Sequence, residues 1–158
     1  MSNKAIYFDM DGTLADLYGV EGWLEKLRAF DPTPYRDAPV LLNMQALAHR
    51  LNKLKSLGYT IGIISWLSKE STVEYDKAVT EEKLAWLAKH LGSVEFDEIH
   101  IIPYGNRKSR FANIHNGYIF DDSKVVRKEW IKNNPDGWAF CENDITEVLE
   151  MLSKGRRD

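Results

Sequence analysis

Cysteine is almost absent from this sequence, which has Cys141 as its only thiol in 158 residues. A single cysteine excludes an internal disulfide and fits a reducing compartment. The neighbours at positions 138–140 are Trp, Ala and Phe, which is typical of a buried strand. We therefore expect Cys141 to be a core thiol rather than a reactive one.

Long apolar runs are also lacking. No stretch approaches the roughly 20 residues that a membrane-spanning helix needs, and the N-terminus has no hydrophobic signal-peptide region. An excess of positive charge is lacking as well, because 21 Lys and Arg residues face 24 Asp and Glu residues and the formal net charge is −3. A broad basic face for nucleic acid is therefore not expected. These absences predict a cytoplasmic protein with neither a membrane nor a nucleic acid as partner; its oligomeric state stays open.

Two further kinds of site are excluded by motifs that the chain does not contain. Its histidines share no ligand spacing and no cysteine cluster accompanies them, so zinc is not expected; they are His49, His90, His100 and His115. There is no glycine-rich phosphate loop ending in lysine, so nucleoside triphosphate hydrolysis of that type is not supported.

The most informative stretch that is present is an apolar run at residues 5–8 followed by Asp9 and Asp11. The run has the length of a buried strand. If extended backbone continues through Met10, both carboxylates point the same way. Gly12 then allows a sharp exit from the strand. Two anions held together favour a bound cation, although Asp and Gly are also ordinary residues of a strand-ending turn.

Strand and helix patterns alternate along the rest of the chain. Apolar periodicity predicts helices over residues 18–30, 42–57, 72–91 and 124–133, with a final helix capped by Asn143. The stretch between residue 31 and Pro39 is predicted to be irregular. Further buried strands are predicted over residues 59–65, 99–102, 117–120 and 138–141. This alternation indicates an α/β domain with a parallel sheet.

Polar residues stand where these predicted strands end. Asp121 and Asp122 follow the fourth strand, Ser65 closes the second, and Lys108 comes after the third. Ligands of parallel sheets bind beyond the carboxyl ends of the strands, so we expect these side chains to converge with Asp9. Carboxylate oxygens suit Mg²⁺, and hydroxyl, ammonium and backbone N–H groups suit phosphate. Taken singly, Ser65 could be a turn residue and Lys108 a solvated one.

Four ordered motifs resemble those of the haloacid dehalogenase superfamily: residues 9–13, then Ser65, then Lys108, then residues 121–122. The second aspartate of the first motif is a feature of the superfamily's phosphatases. Within the superfamily, residues 9–16 and 82–92 are similar to the 5′(3′)-deoxyribonucleotidases. The resemblance implies one three-layer Rossmann-like domain over residues 1–158, with a five-stranded parallel sheet and a short helical cap insertion at about 15–41.

The resemblance also implies roles for individual residues. Asp9 would be the nucleophile that forms an aspartyl-phosphate, and Asp11 the general acid and base. The implied Mg²⁺ ligands are Asp9, Asp11 through its backbone carbonyl, Asp121 and Asp122. The implied phosphate-binding residues are Gly12, Ser65, Trp66 and Lys108. We therefore expect a Mg²⁺-dependent phosphomonoesterase acting on a small molecule, with a nucleoside monophosphate as the favoured substrate.

Two other functions stay open from the sequence. The cap segment is shorter than in the deoxyribonucleotidases, and Trp66-Leu67 stands where they tend to have a small residue and Pro. A more open site would suit a sugar phosphate or a nucleic-acid end, with the basic cluster at 107–110 meeting a polyanion. From another class, the chain could be a catalytically silent Mg²⁺-binding interaction module.

Overall fold

A five-stranded parallel sheet forms the centre of the protein in a computed structural model that describes residues 4–155. The strands are β1 Ala5–Phe8, β2 Thr60–Trp66, β3 Glu98–Ile102, β4 Tyr118–Phe120 and β5 Trp138–Phe140. Their order across the sheet is β3-β2-β1-β4-β5, and every neighbouring pair is parallel. The predicted α/β fold with a five-stranded parallel sheet is confirmed.

Six α-helices connect and cover the strands within the described part of the chain. They are α1 Trp23–Arg28, α2 Thr33–Asp37, α3 Met44–Ser56, α4 Val73–His90, α5 Lys124–Asn133 and α6 Ile145–Ser153. The side chains of Asn43, Thr72 and Ser123 accept backbone N–H groups and so begin α3, α4 and α5. None of the helices between residues 4 and 155 is long and apolar enough to cross a membrane.

The sheet has a core on each face because successive side chains of a strand alternate. Ile6 and Phe8 point into one cluster with residues of α3, α4 and α6, such as Leu51 and Leu149. Tyr7 points into the other cluster, where it packs on Trp130 of α5 with ring centroids 5.6 Å apart. Helices therefore cover both faces and make three layers.

The segment between β1 and α3 differs from its prediction. Residues 18–30 do not form one helix but a 3₁₀ turn at Leu17–Gly19 followed by the short helix α1. Gly22 has a φ of 70°, which lies outside the helical region and separates the two elements. The stretch predicted to be irregular contains α2, whose first turn accepts Pro34 because the N–H groups there need no helical partner.

Two local predictions between β5 and α6 are also wrong. Cys141 lies after β5 and is only half-buried, with Sγ 3.4 Å from Oδ2 of Asp144. A 3₁₀ turn at Glu142–Asp144 precedes α6, so Asp144 rather than Asn143 holds the cap position. A local turn that continues into a helix moves its apparent start by a residue or two.

The connections place a crevice at one edge of the sheet. From the central β1 the chain moves outward to β2 and β3, then returns to form β4 on the other side of β1. The carboxyl ends of β1 and β4 therefore flank a topological switch point, where parallel sheets bind their ligands. Beside it, Leu17 and Tyr35 pack against Leu67, Tyr75 and Val79, so the segment with α1 and α2 lies over the end of β2.

Candidate active site

The loop after β1 turns sharply beneath the crevice. The N–H of Asp9 still donates to Phe120 of β4 at 2.9 Å, and the carbonyl of Met10 then accepts three successive N–H groups from residues 13–15. Gly12 has a φ of 84°, and a side chain there would collide with the carboxylate of Asp122. The turn therefore requires glycine at position 12, and it brings Asp9 and Asp122 close together.

Asp9 is held on both carboxylate oxygens. Lys108 donates to Oδ1 at 2.9 Å, and the hydroxyl of Thr13 donates to Oδ2 at 2.9 Å. Thr13 also accepts the N–H of Asp122 at 3.2 Å, so it joins the two acidic loops. No role was predicted for Thr13, although it stands inside the first motif and is fully buried.

Lys108 begins a 3₁₀ turn at Lys108–Arg110 and points into the protein, with its side chain 2% exposed. Its ammonium bridges Asp9 and Asp121, 2.7 Å from Oδ2 of the latter. Burial lowers the pKa of Lys108, but the charges of Asp9 and Asp121 outweigh burial and raise it overall. Because Lys108 is buried and Arg107 and Arg110 are exposed, residues 107–110 do not form a continuous basic surface.

Asp121 and Asp122 follow β4 and complete an oxygen cluster with Asp9. One carboxylate oxygen from each of the three residues lies within 4.8 Å of the others. Burial, with the charge of Asp9 as the next cause, raises the pKa of both Asp121 and Asp122. Burial and mutual repulsion thus disfavour the ionised forms of these carboxylates, and a bound cation would relieve the repulsion. The donor set contains only oxygen and so fits Mg²⁺.

Asp11 lies apart from that cluster and faces Lys83. Nζ of Lys83 is 2.9 Å from Oδ2 of Asp11, and the lysine side chain is 1% exposed. Burial raises the pKa of Asp11, and Lys83 opposes that rise. No role was predicted for Lys83. The available signal was a lysine on the same helical stripe as Val79 and Trp86, four and three residues away, both of which are buried.

The remaining residues predicted to bind phosphate lie in different settings. Ser65 is fully buried and its hydroxyl accepts from Lys83 at 2.6 Å. Trp66 ends β2; its indole N–H donates to the carbonyl of Asn106 and its ring lies 5.2 Å from Nζ of Lys108. The N–H of Gly12 donates to Ala15 at 2.8 Å within the turn, so it is not directed at the crevice.

A cavity of about 680 Å³ opens above these groups. Its floor carries Asp9, Asp11, Lys108, Asp121 and Asp122, while Ser65 and Gly12 are not among the lining residues in the described part of the chain. Its walls include six aromatic residues, which come from the segment after β1, the end of β2 and the loop after β3: Tyr18, Trp23, Phe30, Tyr35, Trp66 and Tyr104. Arg28 and Lys69 add positive charge to the lining, and Glu70 adds negative charge.

The charges of the site do not balance. Around Asp9 and Asp11, four aspartate carboxylates face the ammonium groups of Lys83 and Lys108, so this inner group carries two surplus negative charges when it is fully ionised. A divalent cation would neutralise that surplus. Asp9 is fixed by Lys108 and Thr13 and lines the accessible cavity.

Comparison with known proteins identifies the fold. The chain superposes on a D,D-heptose 1,7-bisphosphate phosphatase from Burkholderia thailandensis with a TM-score of 0.50 and 12% identity, covering 83% of this chain and 74% of that one. It also superposes on a hydrolase from Streptococcus pneumoniae TIGR4 with a TM-score of 0.50 and 13% identity, covering 95% of this chain and 100% of that one. The fold is of the haloacid dehalogenase type.

No protein-family model matches the sequence, and a search of curated proteins finds no relative. At 12% and 13% identity the structural likeness describes the haloacid dehalogenase-type fold alone. A shared fold does not determine chemistry or substrate, which depend on the side chains of this chain.

Proposed function

We propose that the protein is a Mg²⁺-dependent phosphomonoesterase that works through an aspartyl-phosphate on Asp9, with nucleoside monophosphates as its substrates. The observation that carries this proposal is the setting of Asp9. Its carboxylate lies on the floor of the cavity, is held by Lys108 and Thr13, and has Asp121 and Asp122 within 4.8 Å. Phosphoryl transfer through a covalent intermediate uses a fixed nucleophile such as a carboxylate, with cationic and metal-binding neighbours.

In the first step an oxygen of Asp9 attacks phosphorus, and the bond to the ester oxygen breaks. Asp11 gives its proton to the departing alkoxide. Lys108, which lines the cavity beside Asp9, stabilises negative charge on the phosphoryl oxygens. In the second step water attacks phosphorus, Asp11 takes a proton from that water, and inorganic phosphate leaves with Asp9 restored as a carboxylate.

The proposed Mg²⁺ ligands are the carboxylates of Asp9 and Asp121 and the backbone carbonyl of Asp11, with Asp122 beside them. Bound Mg²⁺ supplies positive charge that stabilises the phosphoryl group as negative charge develops on it. The surplus negative charge and the oxygen-only donor set support this ion over zinc.

The aromatic residues in the cavity walls support a substrate whose leaving group carries a planar base. Tyr18 is 51% exposed and its ring edge lies so close to the Gly12 turn that a Cβ on Gly12 would be 3.0 Å from it. The rings of Trp66 and Tyr104 also line this cavity, and they contact each other with ring centroids 4.9 Å apart. Aromatic side chains stack on nucleobases for about 1–3 kcal/mol each. A sugar phosphate would leave most of this surface unused.

A phosphate-release screen tests the proposal. Nucleoside 5′- and 3′-monophosphates, sugar phosphates and oligonucleotides phosphorylated at either end are incubated with the protein, in Mg²⁺ and in a chelator. The expected result is release from nucleoside monophosphates in Mg²⁺ only, with Asp9→Asn as the inactive control. If sugar phosphates or oligonucleotide ends were preferred, the proposed substrate would be wrong and the proposed reaction would still hold. Release from none of them would favour a silent Mg²⁺-binding module.

A further inference from the structure

The ammonium of Lys83 uses all of its hydrogen-bond donors, although the proposed reaction gives this residue no function. A lysine ammonium has three N–H donors and no acceptor. Here Nζ is 2.9 Å from Oδ2 of Asp11, 2.6 Å from Oγ of Ser65 and 2.7 Å from the carbonyl oxygen of Trp66. All three donors are used, and the direction of each bond is fixed because lysine cannot accept.

The surroundings of Lys83 are tied together by further contacts. The ammonium also lies 5.1 Å from the ring centre of Tyr35, whose hydroxyl is 2.6 Å from that of Ser68. One helical turn further on, the indole N–H of Trp86 donates to the carbonyl of Ala38 at 2.8 Å and holds α4 in place. A long side chain that is 1% exposed and braced on several sides has little freedom, so it can hold a partner in one orientation.

That partner is Asp11, whose two oxygens are unequal. Oδ2 is bound to Lys83, while Oδ1 has no hydrogen-bond partner in the part of the chain that the structure describes. Asp11 lines the cavity above Asp9. The lysine therefore restricts the carboxyl group to one orientation and leaves one oxygen for the substrate side.

Ser65 belongs to the same chain of contacts. It is fully buried, it is not among the described residues lining the cavity, and its hydroxyl accepts from Lys83. Ser65 and the carbonyl of Trp66 are consecutive positions at the end of β2, so the sheet itself anchors the ammonium. In this arrangement Ser65 acts through Lys83 rather than on the phosphate group.

From these contacts we propose that Lys83 is a positioning residue that, braced by Ser65 and the end of β2, holds Asp11 toward the leaving group. The inference rests on the proposed phosphatase function. Its consequence is selective, because only esters whose leaving group needs a proton depend on the placement of Asp11. A misplacement of about 1 Å can lower a rate roughly 100-fold.

The test compares two substrates in the holoenzyme with Mg²⁺. A nucleoside monophosphate has an alkoxide leaving group that needs a proton, whereas 4-nitrophenyl phosphate does not. We expect Lys83→Met to lower kcat for the nucleotide roughly 10- to 100-fold more than kcat for the aryl ester. Ser65→Ala, a smaller change that removes one brace, should shift the same ratio in the same direction without raising KM for both substrates. Lys77→Met, at an exposed position of α4, is the matched control.

A double-mutant cycle separates positioning from general support of the fold. In the Asp11→Asn background, Lys83→Met should lower kcat for the nucleotide by a much smaller factor than in the wild type, because the group it positions is already disabled. The inference would be overturned if Lys83→Met lowered kcat equally for both substrates, or if the effects of Lys83→Met and Asp11→Asn were independent. The phosphatase function would still hold in that case. If Lys83→Met does not fold, Ser65→Ala decides: a rise in KM for both substrates with an unchanged kcat ratio would overturn it. A wild type inactive on every phosphate would overturn both.

Discussion

Nζ of Lys108 lies 2.7 Å from Oδ2 of Asp121, and the two side chains are each only 2% exposed. The same ammonium reaches Asp9 at 2.9 Å. Removing it in Lys108→Met would leave buried carboxylates without their counter-ion, which typically destabilises a protein by about 3–5 kcal/mol. We expect a loss of that order in denaturant unfolding with a chelator present.

Mg²⁺ should recover part of that loss, because it returns positive charge to the same carboxylates. The matched control is Lys128→Met at an exposed position of α5, which should unfold like the wild type. A Lys108→Met protein as stable as this control, with and without Mg²⁺, would show that the ion pair does not compensate the acidic cluster.

The pKa shifts of the acidic cluster predict how stability depends on pH in chelator. Burial and then the charge of Asp9 raise the pKa of Asp121 from 3.8 to about 7 and that of Asp122 to about 8. A raised pKa favours the protonated form in the folded state. Its contribution to stability is complete below the ordinary value of 3.8 and is lost as the pH rises through these folded-state values.

Asp122→Asn removes one of these groups and isolates its effect. In chelator, the free energy of unfolding of the wild type should fall relative to Asp122→Asn as the pH rises from about 5 to about 9. Mg²⁺ favours the ionised carboxylates and should reverse the trend. Parallel stability curves for the two proteins in chelator would contradict the prediction.

Changing Asp9 or Asp11 to asparagine should impair different steps of the reaction. Asp9→Asn removes the attacking oxygen anion, so no phosphoenzyme should form from any substrate. Asp11→Asn keeps the nucleophile and loses the proton donor and the later base. It should lose roughly 10²–10⁴-fold on an alkyl phosphate and much less on 4-nitrophenyl phosphate.

The aryl ester should also trap phosphate on Asp9 of Asp11→Asn, since hydrolysis of the intermediate lacks its base. Mass spectrometry would detect an acid-stable, alkali-labile adduct, with Asp9→Asn as the negative control. Equal losses in both variants on both substrates, without an adduct, would favour direct attack by water.

Tyr18 and Tyr35 line one cavity but should have different functions. Tyr18 is 51% exposed, whereas Tyr35 is 4% exposed and anchors its segment to Ser68. Tyr18→Ala should raise KM for a nucleotide several-fold more than KM for glycerol phosphate, because it removes a stacking surface. Tyr35→Phe should lower the melting temperature and leave the KM ratio unchanged. The same change in KM for both substrates in Tyr18→Ala would rule out base stacking.

The sequence alone was sufficient to predict the parallel sheet and the strand ends that carry Asp9, Asp121 and Asp122. These predictions depend on local signals: short apolar runs, alternating side chains and polar residues at the ends. Neighbouring parallel strands then place their ends together whatever the details of packing. Short helices were less predictable, because the backbone at Gly22 and the tertiary contacts of Tyr35 determine where α1 and α2 begin.

The convergence of Lys108 with Asp9 was predicted, but only the tertiary structure could reveal the contact between Lys83 and Asp11. Lys83 and Asp11 are 72 residues apart, and Lys108 and Asp9 are 99 apart. Helical periodicity gave Lys83 no role, since periodicity describes one helix and not what faces it. Which face of α4 is buried depends on how the helix crosses the end of β2. There the burial of Lys83 is compensated by three acceptors from β2 and the loop after β1.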